Sequence, residues 1–200
     1  MSENKNDLIR ETAEERLYTF ADYLKWNDGK RYELIDGQVY ILAPAPSPEH
    51  QRISGELYRQ ISNYLLDKDC QVFAAPFDVR LPEGEERDEE ILTIVQPDIL
   101  VVCDKSKLDQ RGLKGAPDMV IEIVSPSTAG RDRGVKRDLY ERNGVREYWL
   151  VDYSNKTIEV YLLNEGNRYG KPVVYSAEEK VPVNIFEGLE IELSLVFRDK

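Results

Sequence analysis

Asp118-Met119-Val120-Ile121-Glu122-Ile123-Val124 is an aliphatic block with one carboxylate inside it. Met119–Val124 is too short and too β-branched for a helix, and it is apolar at consecutive rather than alternate positions. That pattern belongs to a strand covered on both faces, as in a sheet flanked by helices. Glu122 stands out there, because an ionised carboxylate in such surroundings costs several kcal/mol unless a cation or several donors compensate it.

Upstream, residues 94–103 read as a second strand of this kind, with Asp98 near the start of its aliphatic part, and residues 71–81 read as a third. Side-chain alternation puts Val120, Glu122 and Val124 on one face and Asp98 with Leu100 on one face of their own strand. If the two strands are neighbours in suitable register, the carboxylates meet at one sheet face, where a divalent metal serves both. The alternative is a buried ion pair with Arg or Lys, or an Asp at a strand end capping a loop.

Helices frame these strands. Ser47-Pro48 suits a cap and first turn, and Ile53, Leu57, Ile61, Tyr64 and Leu65 follow at helical spacing, with His50, the sole histidine, on the same stripe. A second helix is predicted over residues 131–143, with Val135, Leu139 and Tyr140 inward and Gly144 as its stop. Thr19-x-x-Asp22 opens a short helix with Phe20, Tyr23, Leu24 and Trp26 on its apolar side. Asp36-Gly37 joins residues 31–35 to 38–42 as a hairpin. Residues 147–152, 157–163, 168–175 and 189–197 supply further β structure. The order helix, three strands, helix, strand describes an α/β core with a mixed central sheet, plus an extra N-terminal hairpin and C-terminal strands. Residues 1–16 are expected to be a flexible acidic tail and 17–200 a single domain.

Composition narrows the function classes. Cys70 and Cys103 are far apart, without a C-x-x-C motif, so no zinc cage is expected and the pair fits a reducing, cytoplasmic setting. No secretory signal is visible, and the longest aliphatic runs fall well short of the ~20 residues of a membrane helix. The chain carries 27 basic and 38 acidic residues, a formal net charge of −11. Evenly spread, that charge argues against a nucleic-acid binder. Three segments hold all of it, however: residues 1–16 (−2), 83–90 (−5) and 178–192 (−4). Residues 131–142 instead have five bases to three acids, and 104–114 four to two, so a local basic face is compatible with the sequence. Ser125 and Ser127 lack the G-x-S-x-G setting of a hydrolase nucleophile, and there is no phosphate-cradling Gly loop.

Gln96-Pro97-Asp98, the run 118–128, Asp132-Arg133-x-x-Lys136-Arg137-x-x-Tyr140, the run 144–152, Tyr32-Glu33-Leu34-Ile35-Asp36-Gly37 and the Pro-rich segment ending at His50 resemble one family. This is the restriction-endonuclease family expanded in cyanobacteria, Uma-type, a branch of the PD-(D/E)XK nuclease superfamily. The resemblance covers about residues 18–163. It implies a restriction-endonuclease-like core and a metal-dependent endonuclease acting on DNA, with Asp98 and Glu122 as metal ligands and the Ile123 carbonyl completing the shell. The cation implied is Mg²⁺, with Mn²⁺ as a substitute. Val124 stands where the superfamily motif has Lys, and the matching lysine is Lys136 on the following helix, with Glu33 as an additional acid. On spacing alone Lys136 would instead form an exposed pair with Asp132, and Glu33 would lie on the open face of a hairpin.

Auxiliary roles are open to His50 (proton acceptor, phosphate contact or core residue) and to Tyr140. Arg131, Arg133 and Arg137 are candidate contacts to the DNA backbone. A homodimer follows if both strands of a duplex are cut, and no membrane partner is expected. Two other readings stay open: a binding module with little hydrolysis, and acids that only staple the core.

Overall fold

The structure is a computed structural model and describes residues 16–42, 45–125 and 128–198. The expected tail thus lies outside the described residues except for Arg16. In chain order the elements are α1 (Phe20–Tyr23), β1 (Tyr32–Ile35), β2 (Gln38–Ile41), α2 (Pro48–Leu65), β3 (Gln71–Ala74), β4 (Val79–Arg80), β5 (Ile94–Val95) and β6 (Ile99–Val102). They continue with β7 (Leu108–Asp109), β8 (Gly112–Lys114), β9 (Met119–Val124), α3 (Ala129–Arg131), a π-wound turn (Asp132–Lys136), α4 (Arg137–Arg142), β10 (Glu147–Asp152) and β11 (Thr157–Leu162). Last come β12 (Val173–Ser176), β13 (Lys180–Pro182), β14 (Glu190–Glu192) and α5 (Leu193–Val196).

Local chemistry accounts for the early elements. Asp22 accepts a hydrogen bond from Thr19 N at the start of α1. Asp36 and Gly37 both take positive φ (53° and 75°), the geometry a two-residue hairpin turn requires. Ser47 Oγ accepts from His50 N at the start of α2, which buries Ile53, Leu57, Ile61 and Leu65 along one stripe.

The strands form two mixed six-stranded sheets, β2-β1-β5-β4-β8-β7 and β12-β11-β10-β9-β6-β3, and a β13-β14 pair. Two expected strands are therefore each divided between the two sheets. Residues 71–81 break at Pro76 and residues 94–103 at Gln96-Pro97-Asp98, because a proline donates nothing to a ladder and the chain leaves one sheet there and enters the other. β9 is buried at all six positions. It pairs parallel with β10 and antiparallel with β6. Met119, Ile121 and Ile123 pack with α2 on one face, while Val120 and Val124 join Leu139 and Tyr140 of α4 on the other.

Three further expectations are corrected. The second helix begins at Ala129, and its π turn adds a residue to the winding, which rotates the face presented to the sheet. Val135, expected inward, is 41% exposed, while Asp132 and Lys136 are 3% and 2% exposed. Residues 189–197 are only partly β, since Leu193–Val196 form a helical turn with both ends buried. Cys70 and Cys103 form a disulfide. Gln71 faces Val102 in the β3–β6 ladder, and one more step of that register sets the two cysteines opposite each other. Their distance in sequence hides that meeting. Among the described residues no helix is long and apolar enough to cross a membrane.

Candidate active site

The break at Gln96-Pro97-Asp98 leaves Asp98 at the mouth of β6, and the register explains what it meets. Ile99 faces Ile121, so one further step sets Asp98 opposite Glu122. Asp98 Oδ2 accepts from Ile123 N at 2.8 Å, which anchors it to β9. His50 Nε2, in the first turn of α2, lies 3.3 Å from the same oxygen. Burial works against a charged ring, but the Asp98 carboxylate and the Ile123 carbonyl outweigh it and hold the His50 pKa above its ordinary value.

Glu122 is buried, and its Oε1 accepts from Lys136 Nζ at 2.9 Å and from Tyr140 OH at 2.8 Å. The Lys136 ammonium also lies 2.8 Å from Glu33 Oε1. Glu33 is fully buried, because its strand is covered rather than open, and Gln96 N donates to it at 2.9 Å. Arg131 Nη2 stands 3.9 Å from the other Glu33 oxygen. Asp98, Glu122, Ile123, Lys136, His50, Arg131 and Asp132 line one cleft of about 670 Å³. Glu33 and Tyr140 lie behind its wall and reach the cleft through Lys136 and Glu122. Arg133 and Arg137, expected at the substrate, do not line it. The π turn that aims residues 132 and 136 at the sheet leaves 133 and 137 to the flank. There Arg133 pairs with Glu159 (2.8 Å) and Asp152 (3.2 Å), and Arg137 with its neighbour Asp138.

Four carboxylates thus share a small volume with two permanent cations: Glu33, Asp98, Glu122 and Asp132 with Lys136 and Arg131. Two of the acids are shifted upward, mainly by burial. Burial, opposed by Lys136 and reinforced by Asp132, Asp98 and Glu33, pushes the Glu122 carboxyl up to about 8. Asp132 is raised as well, mainly by burial, with Lys136 opposing. Burial disfavours the Lys136 ammonium, but Glu122, Glu33 and Asp132 more than offset that and raise its pKa, so it stays charged.

No group of three or more His, Cys, Asp or Glu side chains among the described residues forms a metal-binding cluster. The donors that fit a hard cation here are the Asp98 and Glu122 carboxylates and the Ile123 carbonyl, an all-oxygen set of the kind Mg²⁺ accepts when water fills its remaining positions. A divalent ion also matches the surplus of two negative charges. Since Glu122 Oε1 is committed to Lys136 and Tyr140, such an ion would be met through Oε2.

Several cleft residues are not marked as site residues by the sequence, among them Asp132, Gln96 and Arg31. Asp132 read only as the partner in an exposed helix pair, and nothing local signals the π turn that buries it. Gln96 is visible as a polar residue in an aliphatic strand, and its amide donates to Tyr23 OH (3.1 Å) and Asp78 Oδ1 (2.8 Å). Arg31 carries no sequence signal beyond its charge.

A model of the family described as "Uma2: Putative restriction endonuclease" matches residues 20–195. Two uncharacterized proteins of Synechocystis sp. (strain ATCC 27184 / PCC 6803 / Kazusa) are similar. The protein slr1290 is 27% identical over 180 residues, covering 88% of this chain and 90% of that protein. The protein sll1609 is 25% identical over 154 residues, covering 74% and 82%. A crystal structure described as a putative nuclease belonging to DUF820, from Anabaena variabilis ATCC 29413, superposes with a TM-score of 0.70 at 21% identity over 90% of this chain and 97% of that one. That last likeness speaks to the fold. With a family model matching nearly its whole length, the chain belongs to the Uma2 family of putative restriction endonucleases.

Proposed function

We propose that the protein is a metal-dependent endonuclease that hydrolyses phosphodiester bonds of DNA with Mg²⁺ or Mn²⁺. The observation that carries this reading is the acid surplus around Glu122 and Asp98 on the floor of an open cleft. Asp98, Glu122 and the Ile123 carbonyl would hold the cation. When bound, it supplies positive charge to the phosphoryl oxygens and eases ionisation of a water.

The chain's own groups do the rest. Lys136, fixed between Glu33 and Glu122, sets a permanent positive charge against the anion that grows in the transition state, a preorganised stabilisation that needs no rearrangement during reaction. Tyr140 holds Glu122 in orientation through Oε1. Ile123 N does the same for Asp98. Arg131, on the cleft wall, meets a phosphate.

One observation favours a second reading, a DNA-binding module that keeps the nuclease fold without hydrolysis: the Lys136 ammonium is already engaged by two carboxylates. Incubating supercoiled plasmid and single-stranded DNA with Mg²⁺ or Mn²⁺, beside Glu122→Ala and Lys136→Ala proteins, separates the two. Cleavage by the wild type that is lost in both folded variants supports the nuclease. Binding without cleavage in either metal supports the module.

A further inference from the structure

We infer that the cleft takes an unpaired nucleic-acid strand rather than a duplex, with a base stacked on Tyr58 and Tyr153 further along the cleft from the scissile phosphate; this rests on the nuclease reading above and names its substrate class. The cleft is poor in cations. A protein that tracks duplex phosphates neutralises on the order of 6–10 of them. The cations lining this cleft are Arg31, Arg131 and Lys136, and Lys136 is engaged by Glu33 and Glu122. The basic side chains beside the cleft are engaged too, Arg133 by Glu159 and Asp152, Arg137 by Asp138 and Arg142 by Asp36. In the other basic segment Arg111 and Lys114 pair with Asp88 and Lys105 with Asp69, while Lys107 donates to the Ala116 carbonyl.

The shape of the α2 wall points the same way. His50, Gln51, Ser54, Gly55 and Tyr58 all line the cleft, the one-face spacing of a helix. His50 is at the Asp98 end, and Tyr58 lies two turns on, about 12 Å along the axis at ~1.5 Å per residue. Between them Ser54 and Gly55 are small, and a Cβ built on Gly55 meets nothing within 4 Å. The result is an open track from the paired carboxylates to an aromatic ring, with Tyr153, Arg31 and Arg131 lining the same cleft, Arg131 at 3.9 Å from Glu33. Aromatic rings lining a cleft hold single strands by stacking, since every base offers a π face, and Arg31 and Arg131 supply the positive charge that such a backbone also needs. A single strand threading one site also removes the reason for a two-site homodimer.

The test is fluorescence anisotropy of a labelled single-stranded oligonucleotide and of the same sequence as a blunt duplex, on the full chain with Ca²⁺ present, followed by cleavage assays on both in Mg²⁺. The single strand is expected to bind more tightly than the duplex, with a log–log salt slope near −1.4 from two phosphate contacts at about 0.7 each. Tyr58→Ser should weaken single-strand binding at least about fivefold, the lower end of what one stacked base contributes, and Tyr58→Phe should retain it. Gly55→Leu fills the track from an open helical position, so it should fold normally and weaken binding equally. Duplex binding as tight as single-strand binding, or indifference to Gly55→Leu, overturns the inference. Cleavage of duplex with the single strand spared also overturns it and leaves the nuclease reading standing. Single-strand binding with the expected variant sensitivities but no cleavage in Mg²⁺ or Mn²⁺ supports the stacking track and removes the nuclease reading instead.

Discussion

Arg80 and Glu122 are both ionisable side chains sealed inside sheets, and the charge around them differs in kind. Arg80, on β4, is completely buried and bonds both Asp88 and Asp109, with the Phe20 ring 5.4 Å from its guanidinium carbon. Lys114 adds a 2.8 Å pair to Asp88, and Arg111 a longer one. Three cations thus face two carboxylates. Hydrogen bonds from Lys114 and Arg80, respectively, hold Asp88 and Asp109 below the usual carboxylate range. Glu122 and Asp132 move the other way, mainly because they are buried, and Lys136 opposes that rise without cancelling it. Glu147 shows a third solution: it is buried, yet Trp149, Asn184 and the Ile185 amide fill its oxygens. Burial of a charge alone therefore says little about function. A cluster that balances itself holds loops to a sheet, and one left short of positive charge beside a cleft is where the proposed cation would bind.

The contrast can be broken most forcefully at its two central cations. Lys136→Met leaves Glu33, Glu122 and Asp132 without their shared ammonium and should cost about 3–5 kcal/mol by denaturant unfolding, with part regained in a Lys136→Met/Glu33→Gln double variant. Arg80→Met should cost nearer 3 kcal/mol, since Asp88 keeps Lys114 and Arg111. Saturating Mg²⁺ should stabilise the Arg80 variant only as much as it does the wild type, and the Lys136 variant by more. Equal responses would erase the distinction.

Replacing an acid by its amide sharpens it further. Glu122→Gln should stabilise the metal-free protein at neutral pH, by roughly 1–3 kcal/mol, because the native carboxyl already prefers its proton. Asp109→Asn, the same chemical change, should destabilise by about 1 kcal/mol or more. A shared sign in thermal melts would show that charge balance does not separate the clusters.

The pH dependence follows from the same shifts. The folded Glu122 pKa of about 8 lies above the ordinary 4.5, so this group stabilises the metal-free fold below pH 4.5 and that contribution fades as pH rises toward 8. Asp88 and Asp109 are lowered from 3.8, so their contribution is present above that value and is lost as pH falls through the folded pKa. Metal-free melting temperatures should carry both slopes. Glu122→Gln should flatten the alkaline one and Asp109→Asn the acid one.

What the sequence discloses here is what is settled locally. The β9 run, the α2 stripe and the Asp36-Gly37 turn depend on neighbours a few positions away, and each takes the expected form. The two sheets do not, although Pro76 and Pro97 are plain to see, because a proline marks a break without saying where the chain goes next. The Cys70–Cys103 disulfide depends on the pairing of β3 with β6, which periodicity does not reveal. Within the candidate site, Asp98 and Glu122 stand out as carboxylates in aliphatic surroundings. Lys136 is noticed through family resemblance, because spacing alone favours an exposed pair with Asp132. The burial of Glu33 depends on Lys136 reaching it from a helix about a hundred residues further along the chain.

The central claim is that the cluster around Asp98 and Glu122 lacks positive charge that a divalent ion supplies. Isothermal titration calorimetry of Mg²⁺ and Mn²⁺ into the metal-free protein, in buffers of different ionisation enthalpy, addresses it directly. One ion should bind per chain with release of protons near neutral pH, as Glu122 gives up its own, and Asp98→Asn or Glu122→Gln should abolish that binding. A wild type that takes up no metal, or variants that bind as the wild type does, would contradict it.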